Sequence, residues 1–559
     1  MEIEIGIEST GGLGHCVPPR LSTHHGGQAL DPLRFSDKRT PTELTCARSG
    51  RVVWQARILK LGWRRHVYVL RPGKNMRLLL CIVSTLGMAC GAAAVLRWWQ
   101  ASPGAFAVSR REPASLATAP PVALNPTDHC NRLLTQFSRS RPEPTPQPVA
   151  SVSADLAWPG FRGPERNAIA TDPTPLADAW PTGGPPLLWT VQVGDGHAGP
   201  AVFRDCVYLL DYDEVAKADV LRCLALGDGG EVWRRSYPVL TKRNHGMSRT
   251  VPAVTDDCIV TMGPQCQVLC VDRATGDYRW GLDLALDYGT TVPLWYTAQC
   301  PLLDQGLAIV APCGRDLLLA LDCRSGEIVW RTPNPGGWEM SHSSVVIMRF
   351  GDQRAFVYAA LGGIAAVQAD GPERGRILWS TTVWDKKIVA PCPVPLDHDR
   401  LLVTSGHGAG SAILQMTQSA GAWAVAGHVA IDKTLCASEQ QTPIWLNDLL
   451  YTVLPKDAGE HREELACFDP AGSGQLRWTS GKGLRFGLGP YLVADGKFYL
   501  LDDRGVLTMG HATGAGFQVL GQAQVIPDAR DAWGPPALVR GKLLLRDATR
   551  LICLDVGRR

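Results

Sequence analysis

The chain holds 17 cysteines, yet nowhere do two stand side by side, and nowhere does a Cys-x-x-Cys-His run occur. The second absence excludes a covalently attached c-type haem. No P-loop and no Ser-His-Asp order stands out. Gly406-His407-Gly408-Ala409-Gly410 is glycine-rich but lacks the following helix that would hold a phosphate. Charge of one sign is missing too, since 56 Lys and Arg face 53 Asp and Glu for a net charge of +3. That balance conceals an asymmetry: residues 1–150 hold 19 basic against 9 acidic side chains, leaving 37 against 44 for the remainder. The mildly acidic remainder gives no reason to expect a nucleic-acid partner. Long apolar runs reduce to one, Leu78 to Leu96, nineteen residues without a charge.

What the sequence has instead is a repeat. Eight times between Pro200 and Asp555 it passes through a module of about 48 residues: an opening apolar strand, a polar turn, a second strand, then an Asp and Gly turn leading into Trp. The openers are Pro200, Pro252, Pro301, Ser344, Pro393, Pro443, Pro490 and Pro536, each followed by a hairpin signal such as Asp256-Asp257 or Asp495-Gly496. A fixed period built only of strands predicts radial blades around an axis, an all-β, eight-bladed propeller of four-stranded blades. The last blade ends before any Trp, and the lone strand Pro186 to Val191 precedes the first opener. That strand is expected to complete the last blade and remove the open sheet edge.

The two cleanest turns are Asp272-Arg273-Ala274-Thr275-Gly276 before Trp280 and Asp322-Cys323-Arg324-Ser325-Gly326 before Trp330. Their carboxylates suit capping of backbone N–H groups, their glycines suit a positive φ, and the Trp is expected to pack between blades. Trp189, Trp233, Trp379 and Trp478 fall at matching places, and Trp423 and Phe517 are assigned there in two blades whose turn has decayed. These turns resemble the tryptophan-docking repeats of quinoprotein-type propellers. The run Trp158-Pro159-Gly160-Phe161-Arg162-Gly163-Pro164 with Asn167 resembles the opening of bacterial PQQ-like repeat proteins, many of them planctomycete. The resemblance covers most of residues 186–559 and reaches both quinone-dependent alcohol dehydrogenases and non-catalytic relatives of the BamB type.

For the dehydrogenase branch the resemblance implies PQQ near the axis over a Trp, with Ca²⁺ polarising the quinone and a carboxylate taking the alcohol proton. That branch carries two adjacent cysteines above the cofactor, which this chain lacks, so no catalytic residue is assigned and no cofactor is expected, with PQQ and Ca²⁺ the alternative. The segments before each inner strand converge on the channel mouth, where His197, His245, Arg249, Glu339, His342 and Arg485 are the candidate binding residues. His245, His342 and Glu339 carry groups suited to metal or acid/base chemistry, although no metal site is assigned. Three functions stay open: a BamB-like binding or scaffold module of the cell envelope with a protein or polysaccharide partner on its loops, a divergent PQQ-dependent dehydrogenase, and a sensor propeller for a small ligand or metal.

The run 78–96 just spans a hydrocarbon core, and Arg64, Arg65, Arg71, Lys74 and Arg77 before it would hold the N-terminal side in the cytoplasm. Residues 1–75 are then a disordered cytoplasmic segment, or precede a start at Met76; 76–99 are a signal anchor, 100–157 a Pro-rich tether, and 158–559 the propeller, facing a periplasm or equivalent space. Cysteine placement follows the repeat. Cys223, Cys270 and Cys553 share a place on the third strand with Cys467 one residue displaced, and Cys206 and Cys258 share one on the second. Such recurrence suits core packing, with disulfides Cys206–Cys223 and Cys258–Cys270 as the alternative in an oxidising space.

Overall fold

A computed structural model describes residues 138–139, 156–242, 246–472 and 474–558. All of them lie in the unit Pro121–Arg559. Eight antiparallel sheets follow one another along the chain: blade 1 covers 201–238, blade 2 253–283, blade 3 302–333, blade 4 346–381, blade 5 394–431, blade 6 444–479, blade 7 491–524 and blade 8 537–555. Each first strand begins one or two residues after its predicted opener. The first strands of blades 8 and 1, 1 and 2, 2 and 3, and 5 and 6 touch one another, which places them around the axis.

The ring closes as expected. Leu187–Gln192 is the outer strand of blade 8, with Trp189 opposite Cys553 and Val191 opposite Leu551. Ser138–Arg139, inside the segment read as a tether, adds a short fifth strand to blade 1 by pairing with Ser236 and Arg235. Burial falls with distance from the axis: the second strand of blade 2, Cys258–Met262, is buried at every residue, whereas the outer strand of blade 5, Ala422–Ile431, is mostly exposed. Among the described residues no helix is long and apolar enough to cross a membrane. The run 78–96 lies outside those residues, as does the whole of 1–75.

The seams between blades follow one local rule. Just before each docking indole the pairing register slips, leaving Leu188, Val232, Arg279, Val329, Leu378 and Arg477 without a partner. A bulge of this kind re-aims the next side chain. Opposite the re-aimed Trp stands a small residue every time: Cys553, Cys223, Cys270, Ala320, Ala366 or Cys467. Cys467 faces Trp478 and is therefore in register with the other cysteines, not displaced. Much of the recurrent cysteine on the third strand is thus the small apolar residue that leaves room for an indole.

In four seams the Trp lies on the turn glycine of the next blade: Trp189 on Gly229, Trp233 on Gly276, Trp280 on Gly326 and Trp330 on Gly375. A Cβ on Gly326 would stand 2.6 Å from the Trp280 ring, and its φ of 75° is one that side chains rarely adopt. Trp280 Nε1 donates to the Cys323 carbonyl at 2.9 Å, and Trp189 Nε1 to that of Leu226 at 3.1 Å. The turn is pre-formed by Asp322, whose Oδ1 accepts from the backbone N–H of Arg324 and Ser325, each at 2.9 Å. The Ser325 N–H above all holds that carboxyl below its usual range, against the opposing effect of burial.

Blades 5 and 7 depart from the rule. Their register places Gly427 and Gly521 where the docking indole stands elsewhere, rather than Trp423 and Phe517. Trp423 sits at the tip of a longer hairpin and reaches back to Phe350 and Gln353 of blade 4, its Nε1 donating to Gln353 Oε1 at 3.0 Å. Phe517 stacks on Trp478 of blade 6, whose Nε1 donates to the Thr513 carbonyl at 2.7 Å. Trp180, from the segment before the ring, covers Gly521.

Candidate functional site

The channel has two unlike ends. At one, the run from Trp158 crosses the axis. Trp158 is buried and exchanges both backbone hydrogen bonds with Val202 of blade 1, at 2.8 and 2.7 Å, while Ile169 bridges to Val493 of blade 7. Between them Arg162 donates to the carbonyls of Thr442 at 2.5 Å and Pro443 at 3.1 Å, and Arg166 to those of Pro301 at 3.4 Å and Val345 at 3.5 Å. One short segment thereby ties blades 1, 3, 4, 6 and 7. Burial lowers the pKa of both guanidiniums, and among the described residues neither has a carboxylate in salt-bridge reach. Gly163 turns the segment, at φ 81° and with no room for a Cβ beside the Trp158 ring. The Trp158 to Asn167 signature is therefore a stopper.

Next to it runs a relay that the sequence reading missed. The N–H of Val251 donates to Cys300 Sγ at 3.2 Å, that of Cys300 to Ser344 Oγ at 2.9 Å, that of Ser344 to Cys392 Sγ at 3.3 Å, and that of Cys392 to Thr442 Oγ1 at 2.9 Å. Each blade from 2 to 5 thus hands one inner donor to a small polar side chain of the next, which satisfies groups that burial would otherwise leave unpaired. The signal was present: Cys300, Cys392 and Thr442 each stand immediately before an opener Pro.

At the other end several of the predicted residues meet. His197 is buried, its N–H donates to the Ser248 carbonyl at 2.7 Å, and its ring lies 5.0 Å from Trp533. Gly196 lets the chain pass, since a Cβ would stand 2.7 Å from the Ser248 carbonyl oxygen. Burial lowers Arg249 to about 10, opposed by Asp195. Burial first, and then Arg249, push His342 down to about 4, so its imidazole is neutral at pH 7. His342 stacks on Trp295 at 5.8 Å and 19°, with His407 at 6.1 Å from the same indole.

Two of the predicted residues, Glu339 and Arg485, stand apart from that group. Glu339 is exposed and its backbone pairs with Leu361. Arg485 belongs to a separate cluster, 3.8 Å from buried Glu464, which also meets His461 Nδ1 at 3.2 Å. His245 lies outside the described residues. The indoles of the mouth were not picked out from the sequence, although Trp295, Trp384 and Trp533 all fall off the docking period. Trp295 and Tyr296 both have left-handed backbone, φ 73° and 69°, which costs on the order of 1–3 kcal/mol per residue. Lys386 lies 4.9 Å over Trp384, and Lys456 5.6 Å over Trp533, whose Nε1 donates to Asp503 Oδ1 at 2.8 Å.

Residues 216–480, from the third strand of blade 1 to the end of blade 6, match the family model described as outer membrane protein assembly factor BamB. The ring is a BamB-like propeller of PQQ-type repeats. Similar solved structures include BamB of Moraxella catarrhalis, at 13% identity over 66% of this chain and 99% of that one with a TM-score of 0.44. They also include quinohemoprotein alcohol dehydrogenase ADHIIG of Pseudomonas putida HK5, at 12% identity over 72% and 81% with a TM-score of 0.48. A third is the quinohemoprotein alcohol dehydrogenase of Comamonas testosteroni, at 11% identity over 73% and 82% with a TM-score of 0.47. None of these likenesses speaks to activity. No curated protein matches the sequence.

The PQQ-type repeat raises the question of PQQ and Ca²⁺. Calcium takes roughly six to eight oxygen ligands, and among the described residues no three His, Cys, Asp or Glu side chains gather closely enough to hold a metal. At the mouth Asp195 is paired with Arg530 at 3.2 Å and acts on Arg249, and Asp503 accepts from Trp533 Nε1 at 2.8 Å. Both carboxylates are thereby engaged by other side chains of the ring.

Proposed function

We propose that the protein is a binding and scaffold module of the cell envelope, held at the membrane by residues 78–96, whose channel mouth and loops take a protein partner. One observation carries the reading: the channel is stoppered at one end by Arg162 and Arg166, while the other end displays indoles and neutral imidazole in a backbone held against its preference. Half-exposed Trp rings with polar tips are the side chains most often found at the centre of protein interfaces. Strain kept at such a place is kept for what the place does. The BamB-like family match supports a protein partner over a polysaccharide.

Affinity capture by the full chain from the envelope fraction of the native host, after brief crosslinking, tests this. The partner is expected to be lost with Trp295→Ala combined with Trp533→Ala, and kept with Trp423→Ala on the outer hairpin. Equal capture by all three forms, or saturable Ca²⁺-dependent binding of PQQ to the full chain in calorimetric titration, would overturn it.

A further inference from the structure

The outermost strands of the blades differ at their free edges. In blade 1 that edge is taken by Ser138–Arg139, which add a fifth strand. The outer strand of blade 4 has the outer strand of blade 5 lying against it, and that of blade 7 has Gly184 set against Ala523 with no room for a Cβ. Arg279 and Asp283 in blade 2, Arg331 and Pro333 in blade 3, and Arg477 in blade 6 place charge or proline on the outer strand, which discourages pairing with another chain. Blade 8 ends in a strand of only six residues, Leu187–Gln192.

The outer strand of blade 5 has none of these guards. Ala422–Ile431 runs for ten residues, and the hairpin 410–431 contains no Asp, Glu, Lys, Arg or Pro. Ala426 to Ala430 are all exposed, and among the described residues the backbone of 422–430 bonds only within its own hairpin. Every second residue of such an edge aims its N–H and C=O away from the sheet, which makes a template for one more strand.

The strand is complementary to itself. Within its sheet Trp423, Val425, His428 and Ala430 pair with Gln418, Met416, Leu414 and Ala412, and so share one face. Ala422, Ala424, Val429 and Ile431 pair with Ser419, Thr417, Ile413 and Ser411 and share the other. Ala426 is the unpaired residue of the bulge at which the alternation changes over. When a second copy is laid antiparallel about a two-fold axis between Ala426 and Gly427, like faces meet along the whole strand. Trp423 then stands beside Ala430 of the second copy, Val429 beside Ala424 and Ile431 beside Ala422, large opposite small each time. No charge is buried on either side, and a slip of one residue would set opposite faces against each other.

We propose that the outer strand of blade 5 is a self-association edge, on which the Ala422–Ile431 strands of two copies of this chain pair antiparallel about that axis. It uses no residue of the channel mouth. One strand pair is a small contact beside the roughly 1,200–2,000 Å² buried in stable complexes, so the dimer forms and dissociates with concentration.

Sedimentation equilibrium of the full chain in detergent, from micromolar to near-millimolar concentration, is expected to show a reversible monomer–dimer equilibrium. Neighbouring residues of a strand aim their N–H groups to opposite sides, so one of His428→Pro and Val429→Pro removes an N–H from the free edge. That variant should keep the native circular dichroism and weaken the dimer on the order of tenfold or more. In Ala424→Cys combined with Val429→Cys, mild oxidation should join position 424 of one copy to position 429 of the other. Mass spectrometry of mixed light and heavy isotope-labelled chains reads that link as a light-to-heavy peptide pair. The two positions lie roughly 17 Å apart within one strand, too far for an internal bridge. Should both proline variants unfold, the link alone decides. A chain that stays monomeric throughout, or a dimer that lacks the 424 to 429 link, overturns the proposal. So does a monomeric chain that captures a foreign protein and loses it in the proline variant that keeps its fold, since the edge then belongs to a partner's strand.

Discussion

The seams from blade 8 to blade 4 and those from blade 4 to blade 8 solve one problem in different ways. In the first set a bulge aims a Trp onto a left-handed glycine of the next blade, four times over. In the second set the same wedge of space is filled by whatever lies near: a returning hairpin tip with Trp423, a stacked Phe517, or Trp180 from outside the ring. What a propeller seam requires is occupied volume, because close packing of apolar surface is where its stability lies. The indole and glycine pair is the most economical way to provide it, and the clearest to read.

The contrast is testable from its strongest point downward. Trp280→Ala empties a wholly buried docking site and is expected to cost about 3–5 kcal/mol in equilibrium urea unfolding. Unchanged stability with selective loss of partner capture would show that this Trp binds rather than packs. Gly326→Ala places a Cβ against the Trp280 ring in a left-handed backbone and should cost about 2–4 kcal/mol by the same measurement.

Asp219 makes one regular seam sensitive to pH. It is buried beside Gly263 of blade 2, accepts from the Tyr237 hydroxyl at 2.8 Å, and is pushed up to about 7 chiefly by burial. The native state then holds a proton that the unfolded chain releases near the ordinary carboxyl value of 3.8. Stability should therefore fall as pH rises through that window and level off above it. Asp219→Asn should remove this slope and raise stability at pH 8 by about 2–4 kcal/mol, read from urea midpoints at several pH values.

On the irregular side, Trp180→Ala uncovers Gly521 and removes a half-buried ring, for an expected loss of about 1–2 kcal/mol. Gly427→Ala is the smallest change: nothing lies within 4 Å of its Cβ position, and relief of strand glycine entropy should make it neutral or stabilising by up to about 1 kcal/mol. A loss comparable to that of Gly326→Ala would mean that both sets of seams obey the same rule.

Legibility in the sequence followed the same division. The openers, the hairpin turns and the Asp-x-x-Ser/Thr-Gly units are local signals, and Pro252, Asp322 and Gly326 could be placed because backbone preference alone assigns them. Trp423 and Phe517 misled because a hairpin lengthened by several residues keeps the aromatic while moving it to the tip. Cys467 looked displaced because the turn between it and Trp478 is one residue longer than the turn between Cys270 and Trp280. At the mouth, His197 and His342 were found by position before an inner strand, whereas Trp295 and Trp533 went unremarked among the many indoles that dock.

By itself, then, the sequence determined eight blades, their closure by the strand before the first opener, and the composition of each turn, since all of these rest on periodicity and on residues with strong intrinsic backbone preferences. Only the tertiary structure decided that the Trp158 signature stoppers the channel and that a Cys, Ser and Thr relay links the inner strands. Those contacts join residues tens to hundreds of positions apart, and no local preference encodes which distant carbonyl or thiol a side chain will face once the ring has closed.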